Sequence, residues 1–212
     1  ELVSNLESLA AHLHCEPARL LRLANDVDKG DCYTTQIVRV GKKTRSVISP
    51  SPYYGTVSKE LSRLLVGTTS YEAPTHVFGF VRGRGIRDNA REHLDQGCVL
   101  RLDLQQFFES IDRSRVENAL VADGVAPDVA SVIGKLAAPR GCLGAGLSTS
   151  PHLSNLVFQD SDDALVALSG ELGLTFTRYV DDLTFSGDLG DYAADRIRKL
   201  LVSHGWAINE GK

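Results

Sequence analysis

The spacing of apolar residues divides the first third of the chain into helices around one pair of strands. Leucines recur at helical spacing over residues 4–14, and residues 16–23 predict a second short helix. Two β-branched runs within residues 34–50 flank a Gly-Lys-Lys step at 41–43, which predicts a β-hairpin with a basic tip. Helical spacing then returns over residues 52–66.

The second half of the chain alternates strands and helices. The predicted elements are a strand at 98–104, a helix at 113–122, a helix that begins at Ser150, a hairpin at 174–187, a helix at 191–204 and a strand at 206–209. This order is typical of an antiparallel sheet packed on helices, so the predicted fold class is α+β.

The composition is that of a globular domain. Of the 212 residues, 42% are hydrophobic and 24% are charged, and no apolar run is long enough to span a bilayer. No basic-then-apolar leader opens the chain, and none of the four cysteines form a CxxC pair. We therefore expect reduced thiols, no membrane partner and a cytoplasmic location. The absence of Met and the start at Glu1 predict a piece of a longer polypeptide.

The net charge of −4 conceals a division between two regions. Residues 31–101 hold 11 Lys and Arg against 6 Asp and Glu, a net charge of +5. Residues 102–212 hold 9 against 16, a net charge of −7. A basic region can hold phosphates and an acidic region can hold metal ions, so the distribution indicates a nucleic-acid or nucleotide partner.

Three aspartates lie where a predicted strand ends or turns. Asp103 is near the end of an apolar strand, and Asp181 and Asp182 form the tip of an apolar hairpin. Carboxylates in apolar surroundings are costly unless a cation compensates them, and Mg²⁺ prefers carboxylate oxygens. If the strands are neighbours, the three side chains converge on a site for two Mg²⁺ ions about 3.5–4 Å apart, with Mn²⁺ as a substitute. The alternative is a plain hairpin turn, which Asp also favours.

The motifs around these aspartates resemble those of bacterial reverse transcriptases of the retron type. YVDD at 179–182 is similar to the YxDD box, and RLDLQQFFESID at 101–112 is similar to the motif around the first catalytic aspartate. GLSTSPHLSNLVF at 146–158 resembles the motif before the palm helix. The retron branch is indicated by FGFVRGRGIRDNAREH at 78–93 and GWAINEGK at 205–212. The order and spacing of the motifs make this resemblance specific.

The resemblance implies a right-hand polymerase whose thumb is absent from this chain. An N-terminal helical segment at residues 1–30 would precede fingers at 31–97 and a palm at 98–212. The implied activity is RNA-directed DNA polymerisation, in which two metal ions assist nucleotidyl transfer from dNTPs to a primer 3′-hydroxyl. The implied partners are a structured non-coding RNA that serves as template and primer, the DNA product and an effector protein. The implied setting is bacterial anti-phage defence.

The same resemblance assigns the catalytic machinery residue by residue. Asp103, Asp181 and Asp182 are the implied metal-binding triad, with the Leu104 carbonyl as a backbone ligand. Lys212 is positioned like the general acid that protonates pyrophosphate.

The implied nucleotide-binding residues lie in both halves of the chain. Arg39 and Arg45 resemble the cations that hold β- and γ-phosphates, which suits the planar fork of Arg. Phe108 resembles the steric gate that excludes a ribose 2′-hydroxyl, and Phe107 would then point to the opposite face of the strand, into the core. The remaining implied positions are the amides of Gln106 and Phe107, and Gly146.

Contacts with the nucleic acid are expected from the basic loop. Arg82, Arg84 and Arg87 lie beside two glycines, which favours contact with template phosphates over a merely solvated face. Tyr179 is assigned to the primer end, with a core role as the alternative. One position departs from the family pattern, because Ala145 stands where the family commonly has a Gln that contacts nucleotide or template.

Alternative functions stay open. The departure at Ala145 is compatible with a defence polymerase that works without a template or primes from protein. A non-catalytic RNA-binding scaffold on the same fold is opposed by the intact set of three aspartates. A palm-fold nucleotide cyclase is opposed by the fingers hairpin and by Phe108.

Overall fold

The computed structural model describes residues 5–40 and 43–210. The helices and strands in these ranges are α1 Leu6–His12, α2 Pro17–Lys29, β1 Tyr33–Val40, β2 Lys43–Pro50, α3 Pro52–Thr68, α4 Ile86–Arg91, β3 Cys98–Asp103, α5 Arg113–Ala122, α6 Pro127–Ala137, α7 Ser150–Leu172, β4 Thr175–Tyr179, β5 Asp182–Gly187 and α8 Asp191–Ser203. The predicted α+β class is confirmed, while the hairpin tip at 41–42 lies outside the described ranges.

The chain forms two compact units, each built from two stretches. The first, which we call the ribbon unit, consists of Glu1–Tyr71 and Phe108–Val157. The second, which we call the sheet unit, consists of Glu72–Phe107 and Phe158–Lys212. The predicted boundaries at residues 30 and 97 follow functional subdivisions of the family, and they stay a prediction.

The helices of the ribbon unit pack around α6. Pro127 opens this helix at its first turn, and its buried residues cover a broad face: Val129, Ala130, Val132, Ile133, Gly134, Leu136 and Ala137. The polar residues Asp128, Ser131 and Lys135 share the remaining face at helical spacing, so the amphipathic signal is present in the sequence although no element was predicted there. The Tyr54 hydroxyl on α3 is fully buried and donates to the Leu136 carbonyl at 2.5 Å.

The two strands of the ribbon unit, β1 and β2, form an antiparallel ribbon. Their register runs from Tyr33 opposite Pro50 to Val40 opposite Lys43. The ribbon is anchored at Ile48, which is 3% exposed and whose amide donates to the Ala145 carbonyl at 2.8 Å.

The sheet unit contains a three-stranded antiparallel sheet in the order β3-β5-β4. Phe176 on β4 lies opposite Phe185 on β5, and the two rings stack with centroids 4.8 Å apart. Beyond β4, Val77 forms a parallel bridge with Arg178. The strand predicted at 206–209 is reduced to a single bridge between Leu104 and Ile208.

An aromatic cluster and the side chain of His93 contribute further contacts within the sheet unit. The ring centres of Phe158 on α7 and Trp206 lie 4.7 Å apart. Trp206 donates its indole N–H to the Ser161 hydroxyl at 2.8 Å. His93 links both hairpin strands, because its ring nitrogens lie 2.6 Å from the Ser186 hydroxyl and 2.7 Å from the Thr177 hydroxyl. Across residues 5–40 and 43–210, no helix has the length and apolarity required to cross a membrane.

Candidate active site

The register of the sheet places the three predicted aspartates at one end of the sheet unit. Asp103 ends β3 and lies directly opposite Asp182, the first residue of β5. The Cβ atoms of directly opposed residues are about 4.5–5.5 Å apart. Asp181 is joined to the same edge, because its carbonyl accepts from the Leu104 amide at 2.9 Å. The register therefore brings the three residues to one end of the sheet, whereas the convergence of their carboxylates on metal ions stays a prediction.

The turn between β4 and β5 has little freedom. It contains Val180, whose φ of +62° lies in the left-handed region that β-branched residues rarely adopt. Gly79 packs against this turn so closely that an added Cβ would overlap the Val180 amide nitrogen and lie 2.7 Å from its Cγ2. A glycine at position 79 is thus required for the turn to occupy its place.

Two polar side chains that the sequence did not reveal contact the aspartates. Arg101 binds Asp182 with both arms, Nε to Oδ1 at 3.1 Å and Nη2 to Oδ2 at 2.7 Å, and this hydrogen-bonded pairing raises the pKa of Arg101. Asn209 donates its side-chain amide to Asp103 Oδ2 at 3.0 Å and its backbone amide to the Asp103 carbonyl at 2.8 Å. The alternation of β3 offered a signal for Arg101, which shares a face with Asp103. Asn209 follows only from the tertiary fold.

The aspartates offer carboxylate oxygens, the ligand type that divalent cations such as Mg²⁺ prefer. Asp103 is 5% exposed, and a carboxylate at that depth needs a compensating partner. Within the part of the chain that the structure describes, no three His, Cys, Asp or Glu side chains are gathered as a ready metal site. Oxygens of Asp182 and Asp103 instead face Arg101 and Asn209. The ligand roles of the triad and of the Leu104 carbonyl stay predictions.

The segment after β3 differs from the expected strand. Residues 105–110 form turns, and Gln106 has a positive φ of +47°. Phe107 is 4% exposed, and its ring centre lies 5.7 Å from the ring centres of both Phe158 and Trp206. Its predicted core position is therefore confirmed. Phe108 is half-buried. The two rings are separated by the turn and not by strand alternation. The steric-gate role of Phe108 and the nucleotide-binding roles of the Gln106 and Phe107 amides stay predictions.

In the ribbon unit, the register separates the two predicted phosphate-binding arginines. Arg39 lies opposite Thr44, whereas Arg45 lies opposite Val38. Opposed residues share a face and neighbours along a strand alternate, so Arg39 and Arg45 project from opposite faces of the ribbon. Both are exposed. One face of the ribbon thus presents only one of the two, and their phosphate-binding roles stay predictions.

Gly146 is fixed by its position against β2. Its φ is +106°, and an added Cβ would overlap the Ile48 carbonyl and lie 2.9 Å from Val47 Cγ1. Val47 shares its ribbon face with Arg45, two residues away. Because Val47 also forms a parallel bridge with Ala145, the segment that holds Gly146 lies along the edge of β2, on which Arg45 shares the face of Val47.

The predicted nucleic-acid residues separate into exposed and engaged side chains. Arg82 and Arg87 are exposed, as expected for template contact. Arg84 instead donates to carbonyls of its own loop, to Val77 at 2.6 Å, to Ala73 at 3.2 Å and to Pro74. Arg84 thus stabilises the loop, and its contact with the template stays a prediction.

The last two predicted site residues lie near a strand end and at the chain end. Tyr179, the last residue of β4, is half-buried opposite Asp182. Its primer contact stays a prediction. Lys212 lies outside the described residues.

Comparison with known proteins finds sequence similarity to retron enzymes. The chain is 33% identical over 191 residues to the Retron Mx65 reverse transcriptase of Myxococcus xanthus, covering 79% of this chain and 44% of that protein. It is 28% identical over 216 residues to the Retron Ec86 reverse transcriptase of Escherichia coli, covering 100% of this chain and 67% of that protein. The chain thus spans about half to two thirds of the length of these relatives. No protein-family model matches it.

The fold is also found in a solved structure. Telomerase from Candida albicans, in complex with a fragment of telomeric RNA, matches with a TM-score of 0.55 over 85% of this chain and 42% of that chain. At 10% sequence identity this likeness concerns the fold alone.

Proposed function

We propose that this chain, which is homologous to the retron reverse transcriptases, is the fingers and palm of an RNA-directed DNA polymerase. The observation that carries the proposal is the register that sets Asp103 opposite Asp182, with Asp181 beside it in the same turn. The similarity to the two retron enzymes of Myxococcus xanthus and Escherichia coli supports the same activity.

The chemistry we propose is two-metal nucleotidyl transfer. When bound, Mg²⁺ supplies Lewis acidity to the attacking 3′-hydroxyl and to the leaving pyrophosphate. Asp103, Asp181 and Asp182 would hold the ions, and the burial of Asp103 favours a bound cation as its partner. Arg101 holds Asp182 by two hydrogen bonds and so fixes the direction of that carboxylate. Arg45 in the ribbon unit is the proposed contact for the phosphates of a dNTP.

The partners we propose are a structured non-coding RNA as template and primer, dNTPs, the DNA product and an effector protein, in bacterial anti-phage defence. The exposed Arg82 and Arg87 support contact with a phosphate backbone. All four cysteines are free thiols, which supports a cytoplasmic location.

The test is DNA synthesis by the intact protein on an RNA template with a DNA primer, in Mg²⁺. The Asp181→Ala, Asp182→Ala double variant should lose synthesis, because it removes two carboxylates from the end of the sheet. The matched control is the Asp160→Ala, Asp163→Ala double variant, which removes two exposed carboxylates from α7 and should retain synthesis. RNA binding without any synthesis by the unaltered protein would contradict the polymerase and favour a scaffold.

A second candidate is a polymerase that works without a template or primes from protein. It is favoured by Ala145, which offers no side-chain amide where the family commonly carries Gln. The product sequence distinguishes the two candidates, because a templated enzyme copies an added RNA and an untemplated one does not.

A further inference from the structure

The turn that carries Asp181 contains a residue in a conformation that must be imposed on it. Val180 has a φ of +62° between the end of β4 at Tyr179 and the start of β5 at Asp182. A β-branched residue stays in the left-handed region only where its surroundings determine it. The groups that hold Val180 therefore bear on the positions of Asp181 and Asp182.

Arg178 is one of these groups, and it is held by its main chain and its side chain. The side chain is fully buried, and its Nη1 donates to the Val180 carbonyl at 3.3 Å. Its amide donates to the His76 carbonyl at 2.8 Å, and its carbonyl accepts from the Phe78 amide at 2.9 Å. The guanidinium carbon also lies 4.7 Å from the centre of the Phe158 ring. Arg178 thus has little freedom directly before the turn.

Asp162 on α7 sets the orientation of the guanidinium. Arg178 Nε donates to Oδ1 at 2.9 Å and to Oδ2 at 3.2 Å, and Nη2 donates to Oδ2 at 2.6 Å. Asp162 is fully buried as well, so both charges are out of water. Because the guanidinium is planar and rigid, a carboxylate that binds Nε and Nη2 also fixes the direction of Nη1. That direction is toward the Val180 carbonyl.

Stability alone does not explain a pair of this kind. Two buried charges lose hydration that their attraction restores only in part, and apolar residues of similar volume often stabilise a fold equally well. What apolar side chains lack is a directed N–H for the Val180 carbonyl. The pair therefore supplies orientation at the turn beyond what packing would supply.

We propose that Asp162 and Arg178 are positioning residues that hold the Val180 turn, and through it Asp181 and Asp182, in the geometry that binds divalent cations. Asp162 orients the guanidinium, the guanidinium holds the carbonyl of the turn, and the turn places the two aspartates. This inference rests on the proposed function, since it concerns the same carboxylates.

The first test replaces the ion pair by apolar residues in the intact protein. The Asp162→Leu, Arg178→Met double variant should keep a melting temperature close to that of the unaltered protein, because no buried charge is left unpaired. Its affinity for Mn²⁺, measured by electron paramagnetic resonance without nucleic acid, should fall about 10-fold, as for loss of an outer partner of metal ligands. A role limited to stability would leave the Mn²⁺ affinity unchanged in the folded protein.

A second variant keeps the charge and removes the planar fork. In Arg178→Lys a single ammonium group replaces the three nitrogens that bind Asp162 and Val180. We expect weaker Mn²⁺ binding with an intact fold. The matched control is Arg196→Lys, because Arg196 makes a similar two-armed pair with Glu171, at 2.5 and 3.0 Å, on the surface of the same unit. This control should bind Mn²⁺ like the unaltered protein.

The outcomes separate this proposal from the polymerase function. Unchanged Mn²⁺ affinity in the double variant and in Arg178→Lys overturns the positioning role, and Arg178→Lys decides alone if the double variant does not fold. DNA synthesis by the unaltered protein is measured on the same preparations. Synthesis together with unchanged Mn²⁺ affinity in the variants refutes only the positioning role. Absent synthesis together with weakened Mn²⁺ affinity in the variants refutes only the polymerase.

Discussion

The two antiparallel hairpins of the chain obtain their geometry in different ways. In the sheet unit, β4 and β5 bury Phe176, Leu183 and Phe185. The turn at Val180 is held by Arg178 of β4, which Asp162 outside the hairpin orients, and by the close approach of Gly79. In the ribbon unit, β1 and β2 are exposed over much of their length, and Ile37 is 79% exposed. The sheet hairpin therefore depends on its surroundings, whereas the ribbon depends mainly on its own backbone pairing.

This difference matches what each hairpin is proposed to do. Metal chemistry requires carboxylates held within a fraction of an ångström, and buried packing provides that precision. Phosphate contact requires exposed cations on a scaffold that water and ligand can reach. Substitutions in the sheet hairpin should therefore reduce turnover and metal binding, and substitutions in the ribbon should raise the KM for dNTPs.

The largest effect is expected at Gly79. In Gly79→Ala the added Cβ would lie 2.7 Å from Val180 Cγ2 and 3.1 Å from its Cα, so the turn must move. We expect a loss of about 1–3 kcal/mol in unfolding free energy, as for other overpacked sites. We also expect a fall of about 100-fold in kcat, because displaced catalytic groups lose alignment. Denaturant unfolding and steady-state synthesis measure the two effects.

The control for Gly79 is Gly97→Ala in the same unit. An added Cβ at Gly97 meets nothing within 4 Å, so both stability and kcat should stay close to those of the unaltered protein. Equal behaviour of the two variants would show that the Val180 turn is not held by this close approach.

The corresponding position in the ribbon unit is Gly146. In Gly146→Ala the new Cβ would meet Val47 Cγ1 at 2.9 Å on a backbone with φ +106°, which should cost about 1–3 kcal/mol of stability. The comparison of hairpins predicts a KM for dNTPs raised more strongly than kcat is lowered. Gly67→Ala in α3 is the control, since its Cβ meets nothing within 4 Å and alanine favours a helix. A variant with a lower kcat and an unchanged KM would contradict the proposed difference between the two hairpins.

A smaller effect should separate the two faces of the ribbon. Arg45 shares the face of Val47, and Arg39 lies on the other face. Loss of a hydrogen-bonded charge costs about 1.5 kcal/mol or more, so Arg45→Ala should raise the KM for dNTPs about 10-fold. Arg39→Ala should change it far less. Equal increases in the two variants would indicate that the ribbon twists enough to present both side chains to one ligand.

The elements that the sequence predicted are those whose pattern is local. The hairpin at 174–187 and the helix at 191–204 were found because their apolar spacing follows the period of the element. Helix α6 was missed although its polar residues share one face, because Val129, Val132, Ile133 and Gly134 give the segment a low helix propensity. The strand at 206–209 became one bridge because pairing depends on a partner that the local pattern does not show.

The residues of the candidate site likewise divide into those that local motifs located and those that depend on the tertiary fold. The motifs located Asp103, Asp181 and Asp182 along the chain, and the sheet register brings them to one end. Arg101 could be inferred from the alternation of β3, which puts it on the face of Asp103. The partners Asn209 and Arg178 depend on which strands and helices meet, which no spacing encodes. The opposite faces of Arg39 and Arg45 could have been deduced, because the pairing around a two-residue tip fixes the face of every residue.

The smallest effect concerns pH, since histidines of both units have a lowered pKa. In the ribbon unit, burial lowers the pKa of His152, whose Nε2 lies 2.7 Å from the Thr69 hydroxyl. In the sheet unit, burial also lowers the pKa of His93 and His76. The unfolded chain, with a His pKa of about 6.5, therefore takes up protons before the folded protein does.

Stability should consequently be complete above the unfolded pKa, decline as pH falls below about 6.5, and level off below the folded pKa values. Urea unfolding at a series of pH values between neutral and mildly acidic conditions measures this decline. His152→Gln should reduce it without abolishing it, because His93 and His76 in the sheet unit continue to titrate. A profile that His152→Gln does not alter would place the whole acid sensitivity in the sheet unit, and would extend the contrast between the two hairpins to the units that contain them.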